Sequence, residues 1–142
     1  LVQFAPGLFS MNGEGTGQGM IRFADGGALA ADPGRTGEGV AARRARKGER
    51  VYIYGTGWGP FTPNVGTGVP GPANPMSRTT NVPVVTIGGA RAEVALSILA
   101  GEGAGWYVAS VLVPEGSASG AEVPVQVSVG GVDSNVVTMA IE

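Results

Sequence analysis

VSVGGVDSNV, residues 127–136, is the stretch that decides the fold, because it places a Gly-Gly pair between two short Val-rich runs. Residues 85–94 repeat the arrangement as VTIGGARAEV. A two-residue turn of the primed types needs positive φ at its centre, which glycine adopts without steric cost. Both segments therefore predict β-hairpins. An old duplication and two independent hairpins with the same turn both account for the similarity.

Alternation of apolar and polar residues predicts further strands around these hairpins. Valine stands at every second position of residues 123–129, which indicates a strand with one buried face. Residues 50–55 (RVYIYG) alternate in the same way, with both tyrosines on one side. Residues 20–23, 106–113 and 132–141 also have the β-branched and aromatic character of strands. Short strands separated by Gly- and Pro-rich turns predict an all-β protein with an antiparallel β-sandwich fold.

The composition limits the chemistry. The chain has 142 residues, with 26 Gly, 10 Pro, 43% hydrophobic residues, no Cys, no His and a net charge of -2. Without His there is no Ser-His-Asp triad and no imidazole ligand, and without Cys there is no thiol nucleophile or disulfide. We expect no cofactor, no metal site and no nucleic-acid partner.

The ends and the apolar runs of the sequence also bear on its context. No apolar run approaches the roughly 18 residues that a membrane helix needs, so we expect no membrane span. There is no initiating Met and no basic-then-apolar leader at Leu1. We therefore expect a processed segment whose targeting signal lies outside it.

Two stretches give no clear strand pattern. Residues 28–48 are rich in Ala, Gly and charge, and 41–47 reads as one helical turn that Gly39 and Gly48 bracket too closely for a stable helix. Residues 56–81 are dense in Gly, Pro, Thr and Asn. A loop of that length is functional, disordered, or contains a short element that the pattern does not reveal.

A basic cluster spans the end of the first of these stretches. Five of the nine basic residues fall within eight positions: Arg43, Arg44, Arg46, Lys47 and Arg50. One interpretation is a patch for an anionic polysaccharide, a lipid head group or a nucleic acid. The other is a solvated linker, or a charged segment that keeps an edge strand from pairing with another chain. We favour this second interpretation because Glu49 lies within the run and the rest of the chain is acidic.

Aromatic side chains are the candidate ligand-binding residues. Trp58 and Phe61 lie in the long Gly/Pro-rich stretch, and Tyr107 follows Trp106 at the start of a predicted strand. Exposed rings on a β-sandwich stack on the apolar face of a sugar. Large aromatics are also the usual core residues of a domain that has few of them. Exposure of both Trp58 and Phe61 would favour sugar binding, and burial of both would count against it.

Carboxylates offer a second set of candidates, for a glycosidase pair or a calcium site: Asp25, Asp32, Glu38, Glu93, Glu102 and Asp133. No spacing among them indicates a catalytic pair or the alternating donors of a calcium loop. Asx-turns explain Asp25-Gly26 and Asp32-Pro33-Gly34 more simply. We therefore expect no catalytic residue and no enzyme.

The order of these motifs resembles the uncharacterised Solibacter-type C-terminal domain family of secreted acidobacterial proteins. From about residue 48 onward, GERVYIYGTGWG and the later IGG, VP and VGG elements also resemble an IPT/TIG immunoglobulin-like domain. The resemblance is carried by these residues: Ala5-Pro6-Gly7-Leu8-Phe9, Gly17, Asp25-Gly26, Tyr54-Gly55-Thr56-Gly57, Gly59-Pro60, Pro63, Val85-Thr86-Ile87-Gly88-Gly89, Ala92, Val113-Pro114, Gly120, Val129-Gly130-Gly131 and Ser134-Asn135. The chain departs from the family pattern at Val108 and Ser110, where the family alternates Gln and Asn.

The resemblance implies a single all-β domain over residues 1–142. Residues 1–47 would form an N-terminal β extension, and residues 48–142 an Ig-like antiparallel sandwich. The function we expect is a non-catalytic C-terminal module of a secreted or cell-surface protein, with a structural, docking or adhesion role. The alternative is a carbohydrate-binding module accessory to an upstream enzyme. Partners would be upstream domains of the same polypeptide or an extracellular polysaccharide.

Overall fold

The computed structural model describes residues 4–24, 27–37, 39–62, 77–101 and 105–142, except the side chain of Arg35. Over these ranges the chain forms thirteen β-strands, one short 3-10 turn and no α-helix. The all-β class that the sequence predicts is confirmed.

The strands predicted at residues 50–55, 106–113 and 123–129 are present, whereas two short strands at 61–62 and 78–79 were not predicted and the strand-like segment 132–141 is interrupted at residues 134–136. Their bounds are β1 Gly7–Leu8, β2 Ile21–Phe23, β3 Leu29–Ala30, β4 Ala42–Arg43, β5 Arg50–Thr56, β6 Phe61–Thr62, β7 Arg78–Thr79, β8 Val84–Ile87, β9 Ala90–Leu99, β10 Tyr107–Leu112, β11 Gly120–Val129, β12 Val132–Asp133 and β13 Val137–Ile141. The 3-10 turn spans Pro33–Arg35.

Hydrogen bonds connect the strands into one mixed sheet that curls into a half-barrel. Its order is β12-β11-β8-β9-β10-β5-β2-β3-β4, with β13 beside β11, β1 beside β5, and β7 between β6 and β9. Strand β9 joins two halves, because its first three residues pair with β8 and the remainder with β10. We call β2, β5, β10, β7 and the later part of β9 the first half. The second half is β8, β11, β12, β13 and the start of β9.

Both predicted Gly-Gly hairpins are present in the second half. Ile87 pairs with Ala90 across the first turn, and Val129 pairs with Val132 across the second. The turn glycines have φ of 58° and 82° at Gly88-Gly89, and 59° and 83° in the second hairpin. Positive φ at both central positions is the type I′ conformation that matches the twist of the flanking strands.

The core lies between the inner faces of the two halves. The alternation predicted for β11 is confirmed, because its four valines at 123, 125, 127 and 129 are all buried. From the first half the largest fully buried side chains include Ile21, Ile53 and Val111, and from the second Ile87 and Met139. All of them belong to one continuous hydrophobic cluster. Burial of this apolar area is the main stabilising contribution to the fold.

The N-terminal strands pair with the rest of the sheet. β2 pairs with β5, and β3 and β4 form a parallel pair, so the sheet is not purely antiparallel. No helix forms over residues 41–47, in agreement with the expectation that Gly39 and Gly48 bracket this segment too closely for a stable one. Extended backbone prevails there because Ala31 N–H donates to the Arg43 carbonyl at 3.1 Å and Ala45 N–H donates to the Ala140 carbonyl at 2.9 Å. The second bond ties this edge to β13.

The long stretch over residues 56–81 contains a short element. Phe61 pairs with Thr79, and Thr62 pairs with Arg78, so β6 and β7 form two rungs of antiparallel ladder. Residues 63–76 of the stretch lie outside the described residues. β7 continues the first half of the sheet, since Arg78 also pairs with Ile98 of β9.

The segment before β2 joins the two halves. The side chain of Asn135 accepts a hydrogen bond from Leu8 N–H at 2.7 Å, and its amide donates to the carbonyls of Leu8 at 3.0 Å and Gly15 at 2.7 Å. The ring of Phe4 lies against Gly59 and Gly130, where an added Cβ would come within 2.4 Å of the ring in each case. Only glycine leaves room for this ring.

Candidate functional site

The three aromatic residues proposed for ligand binding come together on the inner face. The rings of Trp58 and Tyr107 are 5.7 Å apart, and those of Phe61 and Tyr107 are 6.1 Å apart. Trp58 is 0% exposed, Tyr107 is buried and Phe61 is half-buried against the core. The Tyr107 hydroxyl donates to the Gly59 carbonyl at 2.7 Å, and burial raises its pKa.

This burial counts against stacking of a sugar on Trp58. A ring without accessible surface offers no face to a ligand, and Trp58 packs as a core residue. Its indole N–H is buried and finds no hydrogen-bond partner in the part of the chain that the structure describes. The binding role of Trp58, Phe61 and Tyr107 stays a prediction.

The basic cluster is largely neutralised by ion pairs. The guanidinium of Arg43 forms a bidentate ion pair with the carboxylate of Glu49, with Nη1 2.9 Å from Oε1. The same guanidinium lies over the ring of Phe23, 3.6 Å from its centroid. Arg44 pairs with Asp32 at 2.9 Å, and Arg46 pairs with Glu142 at 2.8 Å.

The local electrostatics follow from these pairs. Hydrogen bonds from the Arg43 side chain hold the pKa of the Glu49 carboxyl below its ordinary value, and the backbone N–H of Arg46 adds to the effect. Three of the five basic side chains of the cluster are thus engaged with carboxylates of this chain. This pairing favours an internal role for Arg43, Arg44 and Arg46 over an anion-binding patch.

The outer face of the first half carries a different set of side chains. Paired residues in a sheet share a face, so the register identifies which side chains lie side by side. One row across the strands consists of Arg22, Tyr52, Ser110 and Leu96. The neighbouring row consists of Tyr54, Val108, Ile98 and Arg78.

Two further aromatics extend these rows. Trp106 packs edge-on against Phe9 at 5.1 Å and against Tyr54 at 6.4 Å. Trp106 and Phe9 are half-buried, and with Met20 they line an open cleft of about 410 Å³. The cleft also borders the glycine-rich turn, at Gly13 and Gly15. Aromatic surface that remains partly accessible therefore lies here rather than at Trp58.

Three arginines on this face have no carboxylate partner among the described residues. Arg22 and Arg78 lie at opposite sides of the two rows, on β2 and β7. Arg50 donates a hydrogen bond to the Ser110 hydroxyl at 3.2 Å and makes no ion pair. The only carboxylate that the described register adds to this face is Glu93, beyond Leu112 at the boundary with the second half.

The outer face of the second half is polar. Its central row joins Gln126, Thr86 and Arg91 across β11, β8 and β9, and Ser128 follows on β11. Ser128 pairs with Val84, an exposed valine at the rim. No aromatic side chain takes part in these outer rows, so the aromatic surface belongs to the first half alone.

The carboxylates do not assemble into a reaction centre in the described residues. Asp32 accepts a hydrogen bond from Gly34 N–H at 3.0 Å, which confirms the Asx-turn interpretation there. Glu93 and Asp133 are exposed. Asp25, Glu38 and Glu102 lie outside the described ranges. Among the described side chains no group of three acidic residues could hold a metal ion.

A second cleft lies between β3 and β13. It has a volume of about 880 Å³ and is lined by Leu29, Val40 and Thr138, with Asp32 and Gln18 at its polar side. Both polar groups are already engaged, since Asp32 pairs with Arg44 and the Gln18 amide donates to the Gly19 and Ala30 carbonyls. This cleft therefore offers few unengaged polar groups.

Sequence reasoning predicted the common side of two outer-face residues but proposed neither of them for binding. The alternation in RVYIYG placed Tyr52 and Tyr54 on one side of β5, which the structure confirms. Arg22, Arg78 and Phe9 are brought to the same face by contacts between distant parts of the chain, and no local sequence pattern predicts this.

Comparison with protein-family models, with curated proteins and with solved structures finds no match for this chain. The structure contains, in its described ranges, no helix long and apolar enough to cross a membrane.

Proposed function

We propose that this chain is a non-catalytic module of a secreted or cell-surface protein, with a structural, docking or adhesion role. The observation that carries the proposal is that residues 4–9 lie between the two halves of the sheet and contact both of them. A domain attached ahead of this segment would be held to the module by the hydrogen bonds of Asn135 and by the packing of the Phe4 ring against two glycines. The secreted location and the C-terminal position rest on the family resemblance.

An Ig-like sandwich is part of the proposal. It is supported by two inner faces that pack against each other and by β9, which passes from one half to the other. The non-catalytic role is supported by the lack of His and Cys and by the dispersal of the described carboxylates.

A reporter experiment tests the docking role. A small fluorescent domain is fused ahead of residue 1, and its rotation is followed by time-resolved anisotropy. We expect the reporter to tumble with the module, and to gain independent motion when Asn135→Ala removes the three hydrogen bonds to the N-terminal segment. Asn81→Ala is the matched control, because Asn81 is exposed and its side chain accepts a hydrogen bond from its neighbour Thr80 alone among the described residues. Independent tumbling of the reporter on the unaltered module would contradict the docking role.

A carbohydrate-binding module is the second candidate function. It is favoured by Trp106 and Phe9, whose rings are partly accessible beside an open cleft on the outer face. Aromatic rings in such a position match the apolar C–H face of a pyranose ring. The site would then lie on the first half of the sheet and not in the long loop around Trp58.

A further inference from the structure

We propose that the outer face of the first half binds an acidic polysaccharide, through its two tyrosine-bearing rows and the arginines at their ends. This inference rests on the second candidate function and names its ligand class and its surface. The contacts would be made by Tyr52, Trp106 and Phe9 for the sugar rings and by Arg22 and Arg78 for carboxylates.

The arrangement of charge is the first argument. Arg22 and Arg78 are four strands apart, which is roughly 19 Å at the usual spacing between strands. The side chains between them include Tyr52 and Ile98, with Arg50 hydrogen-bonded to Ser110 beside the row. A linear ligand that crosses the strands would therefore meet a cation at each end, with aromatic and apolar surface and one further arginine between the ends.

The state of the arginines is the second argument. Arg43, Arg44 and Arg46 are all paired with carboxylates of this chain, whereas Arg22 and Arg78 make no ion pair within the described residues. A guanidinium presents planar N–H donors that match a carboxylate in a bidentate geometry. The outer-face arginines thus retain the capacity to bind an external carboxylate that the paired ones have used internally.

A second copy of the chain fits this face poorly. A symmetric face-to-face contact would bring the same set of side chains together from both copies, three arginines from each. Glu93, at the boundary of this face, is the one described carboxylate that each copy could offer to the arginines of the other. Charge therefore favours an anionic partner over self-association.

A nucleic acid also fits less well than an acidic sugar chain. The chain carries a net charge of -2, and most of its clustered cations are paired, so the dense charge of a phosphate backbone would be repelled beyond this face. Two or three cations separated by apolar surface suit a ligand with sparse carboxylates and ring faces between them.

The test is binding of the full chain to immobilised polygalacturonate, with a neutral mannan and a single-stranded oligonucleotide as comparison probes. We expect saturable binding to polygalacturonate that weakens with added salt. Arg22→Gln and Arg78→Gln should each weaken it about fivefold, as expected for the loss of one partly exposed ion pair. Arg91→Gln is the matched control, because Arg91 is exposed, makes no ion pair with a described residue, and lies on the polar outer face of the second half.

The outcomes separate the inference from the function on which it rests. Binding of polygalacturonate that falls in both outer-face variants and stays unchanged in Arg91→Gln supports the proposal. Equal binding to mannan overturns the acidic ligand class and leaves a carbohydrate-binding module. Stronger binding to the oligonucleotide, or equal losses in all three variants, overturns the proposed ligand or surface. No binding to either glycan overturns both the inference and the second candidate function.

Discussion

The two halves of the sheet bury the same kind of inner face and present different outer faces. Inside, Ile53 of the first half and Ile87 of the second are both fully buried in one cluster. Outside, the first half carries Tyr52 and Trp106, while the corresponding rows of the second half carry Gln126 and Thr86. Core packing explains the inner faces of both halves; on the outer face of the first half Trp106 packs on the buried Tyr54, whereas Tyr52 remains partly accessible.

That difference is the basis on which we propose the outer face of the first half as a contact surface. A solvated sheet face is usually polar, as it is in the second half. Partly accessible aromatics beside arginines without ion pairs are the pattern of a contact surface. The contrast within one molecule is informative because both halves share the same core and the same solvent.

The largest expected effects come from the inner faces, and they should be equal. Ile53→Ala and Ile87→Ala each remove a fully buried side chain from the common core. We expect each to lower the free energy of unfolding by about 2–5 kcal/mol, measured by chemical denaturation. A loss below about 1 kcal/mol in one variant alone would show that the two halves do not contribute equally to the core.

The contact that joins the halves should come next. Asn135→Ala leaves the N–H and carbonyl of Leu8 without their partner, and we expect a loss of about 2 kcal/mol. Asn81→Ala should change stability by no more than about 0.5 kcal/mol, because its side chain is exposed. Equal stability of the two variants would mean that the N-terminal segment is not held by Asn135.

A paired arginine should have a smaller and pH-dependent effect. The pKa of Glu49 is lowered in the folded protein. The ionised carboxylate therefore stabilises the fold above about pH 4.5, and this stabilisation is lost as the pH falls through the folded pKa. Arg43→Gln should therefore cost about 1 kcal/mol or less at neutral pH, and the difference from the unaltered protein should shrink in acid. Denaturation at a series of pH values measures this, and a difference that grows in acid would be contrary to the assignment.

The smallest effect should come from an unpaired arginine of the outer face. Arg22→Gln breaks no ion pair among the described residues, so we expect stability to change by about 0.5 kcal/mol or less at any pH. Thermal denaturation of Arg22→Gln and Arg43→Gln under the same conditions compares their stabilities. A larger loss in Arg22→Gln would assign this arginine a structural role and weaken the contrast between the two outer faces.

Strands and turns could be predicted from the sequence wherever they depend on residues close together in the chain. The alternation of residues 123–129 and the two Gly-Gly turns predict strands and hairpins that the structure contains. The extended backbone of residues 41–47 depends on pairing with β3 and β13, which no local pattern in these residues signals.

The candidate site depends on relations that the sequence does not display. Arg46 finds its carboxylate at Glu142, and Arg22 finds its neighbour at Tyr52, because strand order brings distant residues together. Aromatic type alone did not distinguish Trp58 in the core from Trp106 at the surface. Which side of the sheet a ring faces is fixed by register, and register is a property of the whole fold.

The central claim is that the outer face of the first half is the binding surface, and one measurement tests it directly. Amide resonances of the full chain are followed by two-dimensional NMR while an oligogalacturonate is added. We predict saturable shifts at Tyr52, Val108 and Ile98, with Thr86 and Gln126 on the other outer face unchanged. Shifts confined to the second half, or none at any amide, would contradict the account.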